Sequence, residues 1–160
     1  MVRKICLLFC LLFVTLLLHA QSTFKKNDIY LEAGGHGLFG SVNYERQLTR
    51  SPGLGVRIGL GFYAENAFYL TIPAGINYLF KLPGKNSFID AGIGGSWTKL
   101  DGRLFGDTQD ALEENIFNFI PSIGYRRHTA RDMMWRVSFT PVFNEYVFLP
   151  WVGLSIGKRF

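Results

Sequence analysis

The stretch Leu54-Gly-Val-Arg-Ile-Gly-Leu-Gly-Phe-Tyr63 decides the reading of this chain. Every second residue, Leu54, Val56, Ile58, Leu60 and Phe62, is hydrocarbon. The residues between them are Gly55, Arg57, Gly59, Gly61 and Tyr63. In an extended strand successive side chains point to opposite faces, so strict alternation means one strand between two unlike environments.

The same period of two recurs along the chain. Ile29, Leu31 and Ala33 oppose Tyr30, Glu32 and Gly34, and Val42 and Tyr44 oppose Ser41, Asn43 and Glu45. Phe68, Leu70, Ile72, Ala74, Ile76 and Tyr78 oppose Tyr69, Thr71, Pro73, Gly75 and Asn77. Ile89, Ala91, Ile93 and Trp97 oppose Asp90, Gly92, Gly94 and Ser96. Phe119, Ile123 and Tyr125 oppose Asn118, Ser122, Gly124 and Arg126. Trp135, Val137, Phe139 and Phe143 oppose Arg136, Ser138 and Thr140. Val152, Leu154, Ile156 and Phe160 oppose Gly153, Ser155, Gly157 and Arg159. With the opening stretch this makes eight strands. Proline cannot donate to a ladder, so Pro73, Pro121 and Pro141 are expected at bulges or strand ends, with registers there free to slip by one.

The connections alternate in character. Arg50–Gly53, Leu82–Asn86 and Thr129–Asp132 are short and basic, whereas Ala64–Asn66, Asp101–Asn115 and Asn144–Phe148 lie at the other end. Short turns facing longer loops, with an even strand count, are the asymmetry of bacterial outer-membrane barrels. The aromatics of the apolar face fall at two levels. Tyr44, Tyr78, Phe80, Tyr125, Trp135 and Phe160 belong to the turn end; Phe62, Phe68, Trp97, Phe117 and Phe143 belong to the loop end. Charges on that face, Arg46, Lys99, Arg127 and Lys158, stay near strand ends. Two aromatic girdles flanking an aliphatic band fit a membrane slab. A soluble sandwich would instead leave a glycine- and serine-rich face in water.

Residues 1–20 read as a cleaved signal peptide and 21–160 as one barrel domain. Arg3 and Lys4 precede the apolar run Ile5–Leu18, which is short for a membrane-spanning helix of about 20 residues, and Ala20 offers a small residue for cleavage. Without Arg3 and Lys4 the chain has fifteen basic and twelve acidic residues, a balance of +3, which argues against nucleic acid as a partner. Both cysteines, Cys6 and Cys10, lie in the signal segment, which leaves neither a disulfide framework nor a cysteine metal site.

The last strand, Val152-Gly-Leu-Ser-Ile-Gly-Lys-Arg-Phe160, resembles the C-terminal assembly signal of outer-membrane barrels, with Val152, Leu154, Ile156 and the terminal Phe160 in its alternate places. Lys158 departs from that pattern. The segments Leu31–Arg46, Ile72–Phe80 and Ile123–Arg126 are similar to small bacterial outer-membrane β-barrel proteins. The resemblance implies an all-β, eight-stranded antiparallel up-and-down transmembrane barrel. It also implies export to the bacterial outer membrane, with the membrane lipids and the barrel assembly machinery as partners. It names no activity and no cofactor.

Three constellations are candidates for more. Inward Glu32, Glu45 and Asp90 can pair with Arg57, Arg126 and Arg136, since eight strands enclose room for little beyond their own side chains and buried charges must be paired. Glu32, His36 and Ser41 can be drawn as a hydrolytic triad, but such residues fall close together easily by chance, and Gly34–Gly37 reads as a tight external turn. His128, beside two arginines, is expected to be solvated at the turn-end rim. The segment Asp101–Asn115 carries Asp101, Asp107, Asp110, Glu113 and Glu114 against Arg103 alone, a net −4 suited to a cation or a basic partner outside the cell, without EF-hand spacing. The expected function is non-enzymatic, structural or interaction-mediating, with a closed lumen. The competing readings are a lipid-modifying enzyme, a narrow pore and a soluble exported binding module.

Overall fold

The alternation runs through every long strand as observed geometry. In the computed structural model, which describes residues 24–64, 68–84, 86–100, 115–144 and 148–160, the residues of one parity face a lumen and those of the other face outward. The strands are β1 (Asn27–Gly34), β2 (Gly40–Gln47), β3 (Leu54–Ala64), β4 (Phe68–Lys81), β5 (Ser87–Leu100), β6 (Asn115–His128), β7 (Met133–Phe139), β8 (Val142–Phe143), β9 (Phe148–Leu149) and β10 (Val152–Arg159). All pairings are antiparallel between neighbours, and β10 returns to β1, with Ile29 opposite Lys158 and Ala33 opposite Leu154. The ring therefore has no free edge, which removes the unpaired backbone groups that make open sheets sticky.

Ten strands make eight staves. Ile123 faces Phe139 and Phe119 faces Phe143, so β7 and β8 lie in one register along β6. Val152 faces Phe139 and Leu149 faces Val142, so β10 and β9 form one line as well. Each of these two staves is broken where a proline stands, at Pro141 and at Pro150.

The prolines do not shift the registers, contrary to the expectation of slips. Pro73 pairs with Ser96 inside an unbroken β4–β5 ladder. On its other side Ile58 faces Ala74 and, three residues on, Gly61 still faces Thr71. Pro121 behaves likewise, opposite Ile93 on β5. The missing N–H removes a ladder bond on one side only, and a closed ring holds the pairing in register across the gap.

The barrel is inside out by the standard of soluble proteins. Leu31, Leu60 and Val152 are 59%, 60% and 63% exposed, while Glu45 and Arg126 are 1% exposed. Of the outward aromatics, Tyr78 packs on Phe80 and Tyr125 on Trp135 at the turn end, with ring centroids 4.7 and 5.3 Å apart. Phe119, Phe143 and Phe148 form a second cluster at the loop end. The side chains of Phe68 and Lys99 lie outside the described residues, as do residues 1–23, which include the expected signal peptide.

Candidate functional site

Alternation alone places Glu32 on β1, Glu45 on β2, Asp90 on β5, Arg126 on β6 and Arg136 on β7 in the lumen, and there they meet. Arg126 forks onto Glu45, donating from Nη1 to Oε1 and from Nη2 to Oε2 at 2.6 Å each. The same Nη2 lies 2.9 Å from Asp90 Oδ2. Arg136 donates to Glu32 Oε1 at 2.6 Å and to Asp90 Oδ2 at 3.1 Å, so Asp90 bridges the two arginines. Asn77 donates to both Glu45 and Asp90, and Gln47 adds a third donor to Glu45 Oε1. The Arg136 guanidinium also lies over the Tyr30 ring, 5.1 Å from its centroid. Bidentate geometry with further donors on the carboxylates is what makes a buried pair tolerable.

Arg57 does not join this network, which corrects the expected pairing. It stands opposite Glu45 in the β2–β3 register, but both Glu45 oxygens are taken by the Arg126 fork. Its guanidinium runs over Gly75 instead, where a Cβ would lie 3.4 Å from Nε. It then donates to Ser122 Oγ at 3.0 Å and lies 2.8 Å from His36 Nε2. A guanidinium has no acceptor, so Nε2 accepts and the imidazole is neutral, its proton on Nδ1.

The turn that holds His36 lies at the loop end, as expected of an external turn, but folds inward and not out into solvent. Gly35–Gly37 forms one 3-10 turn folded into the barrel mouth, and all three residues are buried. Gly34 and Gly35 take positive φ of 73° and 68°, and a Cβ on Gly35 would collide with the Glu32 carboxylate. Only glycine satisfies both demands. On the far wall a Cβ on Gly94 would come within 2.9 Å of the His36 ring. Thr71 Oγ1 donates to Gly37 O, Trp151 Nε1 donates to Leu38 O, and Phe39 stacks on Trp151. The turn is thus a short internal plug clamped from β4 and from the segment before β10.

This arrangement does not assemble the triad drawn from the sequence. Glu32 receives the His36 backbone N–H, and its other oxygen receives Arg136 and Ser155. Ser41 Oγ accepts from Asn43, and the His36 ring faces Arg57. His128 is a second correction: it is buried and packs on Phe88, ring centroids 4.7 Å apart. Its parity with Arg126 on β6 already put it inside. Asn77 and Gln47, which complete the Glu45 cage, share the inward parity of their strands and were findable by the same rule.

The C-terminal residues Val152, Leu154, Ile156 and Phe160 all face outward and are exposed. Phe160 is tied to the first strand by backbone bonds to Asn27 in both directions, 2.9 and 3.2 Å. Asp101, Asp107, Asp110, Glu113 and Glu114 lie outside the described residues.

The backbone superimposes on the crystal structure of the N-terminal beta-barrel domain of Pseudomonas aeruginosa OprF with a TM-score of 0.65 at 13% identity, covering 86% of this chain and 100% of that one. The chain has the fold of the eight-stranded outer-membrane barrels. The backbone structure of the Yersinia pestis outer membrane protein Ail in a phospholipid bilayer nanodisc is also similar, with a TM-score of 0.54 at 8% identity over 86% of this chain and 100% of that one. No family model and no curated protein matches the sequence. At such identities the shared feature is the path of the barrel wall.

Proposed function

We propose that this protein is a non-enzymatic integral outer-membrane barrel with a closed lumen, acting as a structural or surface-interaction element. The observation that carries the reading is the inversion of the two faces: an exposed hydrocarbon wall between aromatic clusters, around a lumen of paired charges. Water solvates the hydrocarbon wall poorly. A bilayer solvates the wall, and the ion pairs satisfy the interior. The Arg126–Glu45 pair crosses the lumen from β6 to β2, Asp90 on β5 ties Arg126 to Arg136 beside it, and the buried His36 turn folds into the mouth on the loop side. The C-terminal strand ending at Phe160 supplies the element that the assembly machinery reads, and lipids are the first partner.

The test uses the refolded full-length chain. It is expected to need detergent for extraction, to migrate differently before and after boiling, and to give no steady conductance in planar bilayers. Extraction without detergent and identical migration overturn the membrane reading. A stable open-channel current overturns the closed lumen alone.

A further inference from the structure

The two ends of the barrel carry opposite charge, and the positive end is built as a ring. We infer that the turn end is an anionic-phospholipid collar, in which exposed cations around the circumference bind the phosphate headgroups of the leaflet they stand in. The proposal rests on the membrane reading above and adds a lipid class to it.

Arg46, Arg50, Lys81, Arg127, Arg131 and Lys158 are all exposed at this end. They come from β2, the β2–β3 turn, β4, β6, the β6–β7 turn and β10, so they surround the barrel rather than cluster on one side. Among the described residues the exposed acid at this end is Asp132, and Lys25 holds it at 2.6 Å. The other acids near this end, Asp28, Glu45 and Asp90, are buried in the lumen. By sequence, the segments joining strands at the opposite end hold Glu65, Glu145 and five further carboxylates against Arg103. A phosphate-bearing surface is therefore attracted at one end only.

Position selects a lipid headgroup over a soluble polyanion. Arg46 stands two residues beyond Tyr44 on the outward face, and Arg127 two beyond Tyr125 and opposite Trp135. Lys158 stands opposite Ile29, just short of the terminal Phe160. At Arg46 and Arg127 the cation lies one step further out than an aromatic ring, the order of acyl chain, glycerol and phosphate in a leaflet, while Lys158 lies one step inside Phe160 and reaches the same boundary by its long stem. A soluble partner meets one patch of a cylinder, whereas a leaflet meets its whole circumference. Lysine and arginine close to an anionic leaflet each add to its attraction, and the sum falls with salt.

The experiment places the full chain in nanodiscs of phosphatidylcholine alone and of an equimolar mixture with phosphatidylglycerol, then counts retained lipids by native mass spectrometry. Wild type is expected to retain phosphatidylglycerol over phosphatidylcholine by roughly threefold or more, an excess that 0.5 M salt reduces. Arg46→Gln, Arg50→Gln, Arg127→Gln and Lys158→Gln combined should bring the ratio to about one while the band shift on boiling persists. The set Arg46→Lys, Arg50→Lys and Arg127→Lys should keep the preference, which separates loss of charge from loss of folding. Equal retention of the two lipids by wild type overturns the collar, as does an unchanged ratio in the glutamine variant. Failure to enter phosphatidylcholine discs at all overturns the membrane reading on which the collar stands.

Discussion

Two buried arginines in the same lumen live under different rules. Arg126, in the turn-side half, is held by two carboxylates, one through a fork at 2.6 Å. Arg57, in the loop-side half, faces a neutral imidazole and a serine hydroxyl. Among the described residues its Nε and Nη1 meet no hydrogen-bond partner. Burial is nearly equal, at 1% and 6% exposure, so burial does not set their worth. What differs is what each leaves behind when it is removed.

Taking away Arg126 strands Glu45 in the lumen, while Asp90 keeps Arg136. Arg126→Met is therefore expected to cost about 3–5 kcal/mol, the price of an uncompensated buried charge, read as an earlier urea midpoint for the folded barrel in detergent. Pairing this substitution with Glu45→Gln should recover part of the loss. A double variant no more stable than Arg126→Met would break the ion-pair half of the comparison.

Taking away Arg57 strands no carboxylate. Arg57→Met leaves His36 Nε2 and Ser122 without their donor, a loss of about 1–2 kcal/mol by the cost of unmade hydrogen bonds. If the two arginine variants unfold at the same urea concentration, the lumen does not divide into a paired half and a plugged half.

The smallest effect belongs to Lys25–Asp132, which matches Arg126–Glu45 in length at 2.6 Å but stands in solvent. The hydrogen bond from Lys25 holds the Asp132 carboxyl below its ordinary range. A carboxylate whose folded pKa is depressed contributes stability above its unfolded pKa, near pH 4, and loses it as pH falls through the folded value. Asp132→Asn, which tolerates the positive φ of 60° at this position, should melt slightly below wild type at pH 6. The two melting temperatures should converge as pH drops below about 4. A gap that persists at pH 2 would trace the effect to the turn's backbone and not to the ion pair.

Much of this molecule was legible as a pattern of two. The parity of Leu54–Tyr63 and its counterparts set which residues face out, and thereby put Glu32, Glu45, Asp90, Arg126 and Arg136 inside. The places where the reading failed share a cause. Balanced charge counts pair Arg57 with a carboxylate, yet the fork of Arg126 fills Glu45. Two arginine neighbours in sequence suggest a solvated rim for His128, although those neighbours point alternately in and out. Gly34–Gly37 has the composition of an external turn, and composition does not say toward which side a turn folds.

The sequence by itself determined the strands, their faces and the polarity of the two ends, because alternation and charge are local properties of the chain. Only the tertiary structure decided the partners. Arg136 reaches Glu32 across 104 residues and Arg126 reaches Glu45 across 81. Those meetings depend on the stagger of the strands and on β10 closing against β1. They depend too on glycines at 75 and 94, which leave room for Arg57 and His36 to lie against the wall. A strand fixes which way a side chain points; the closed ring fixes what it finds there.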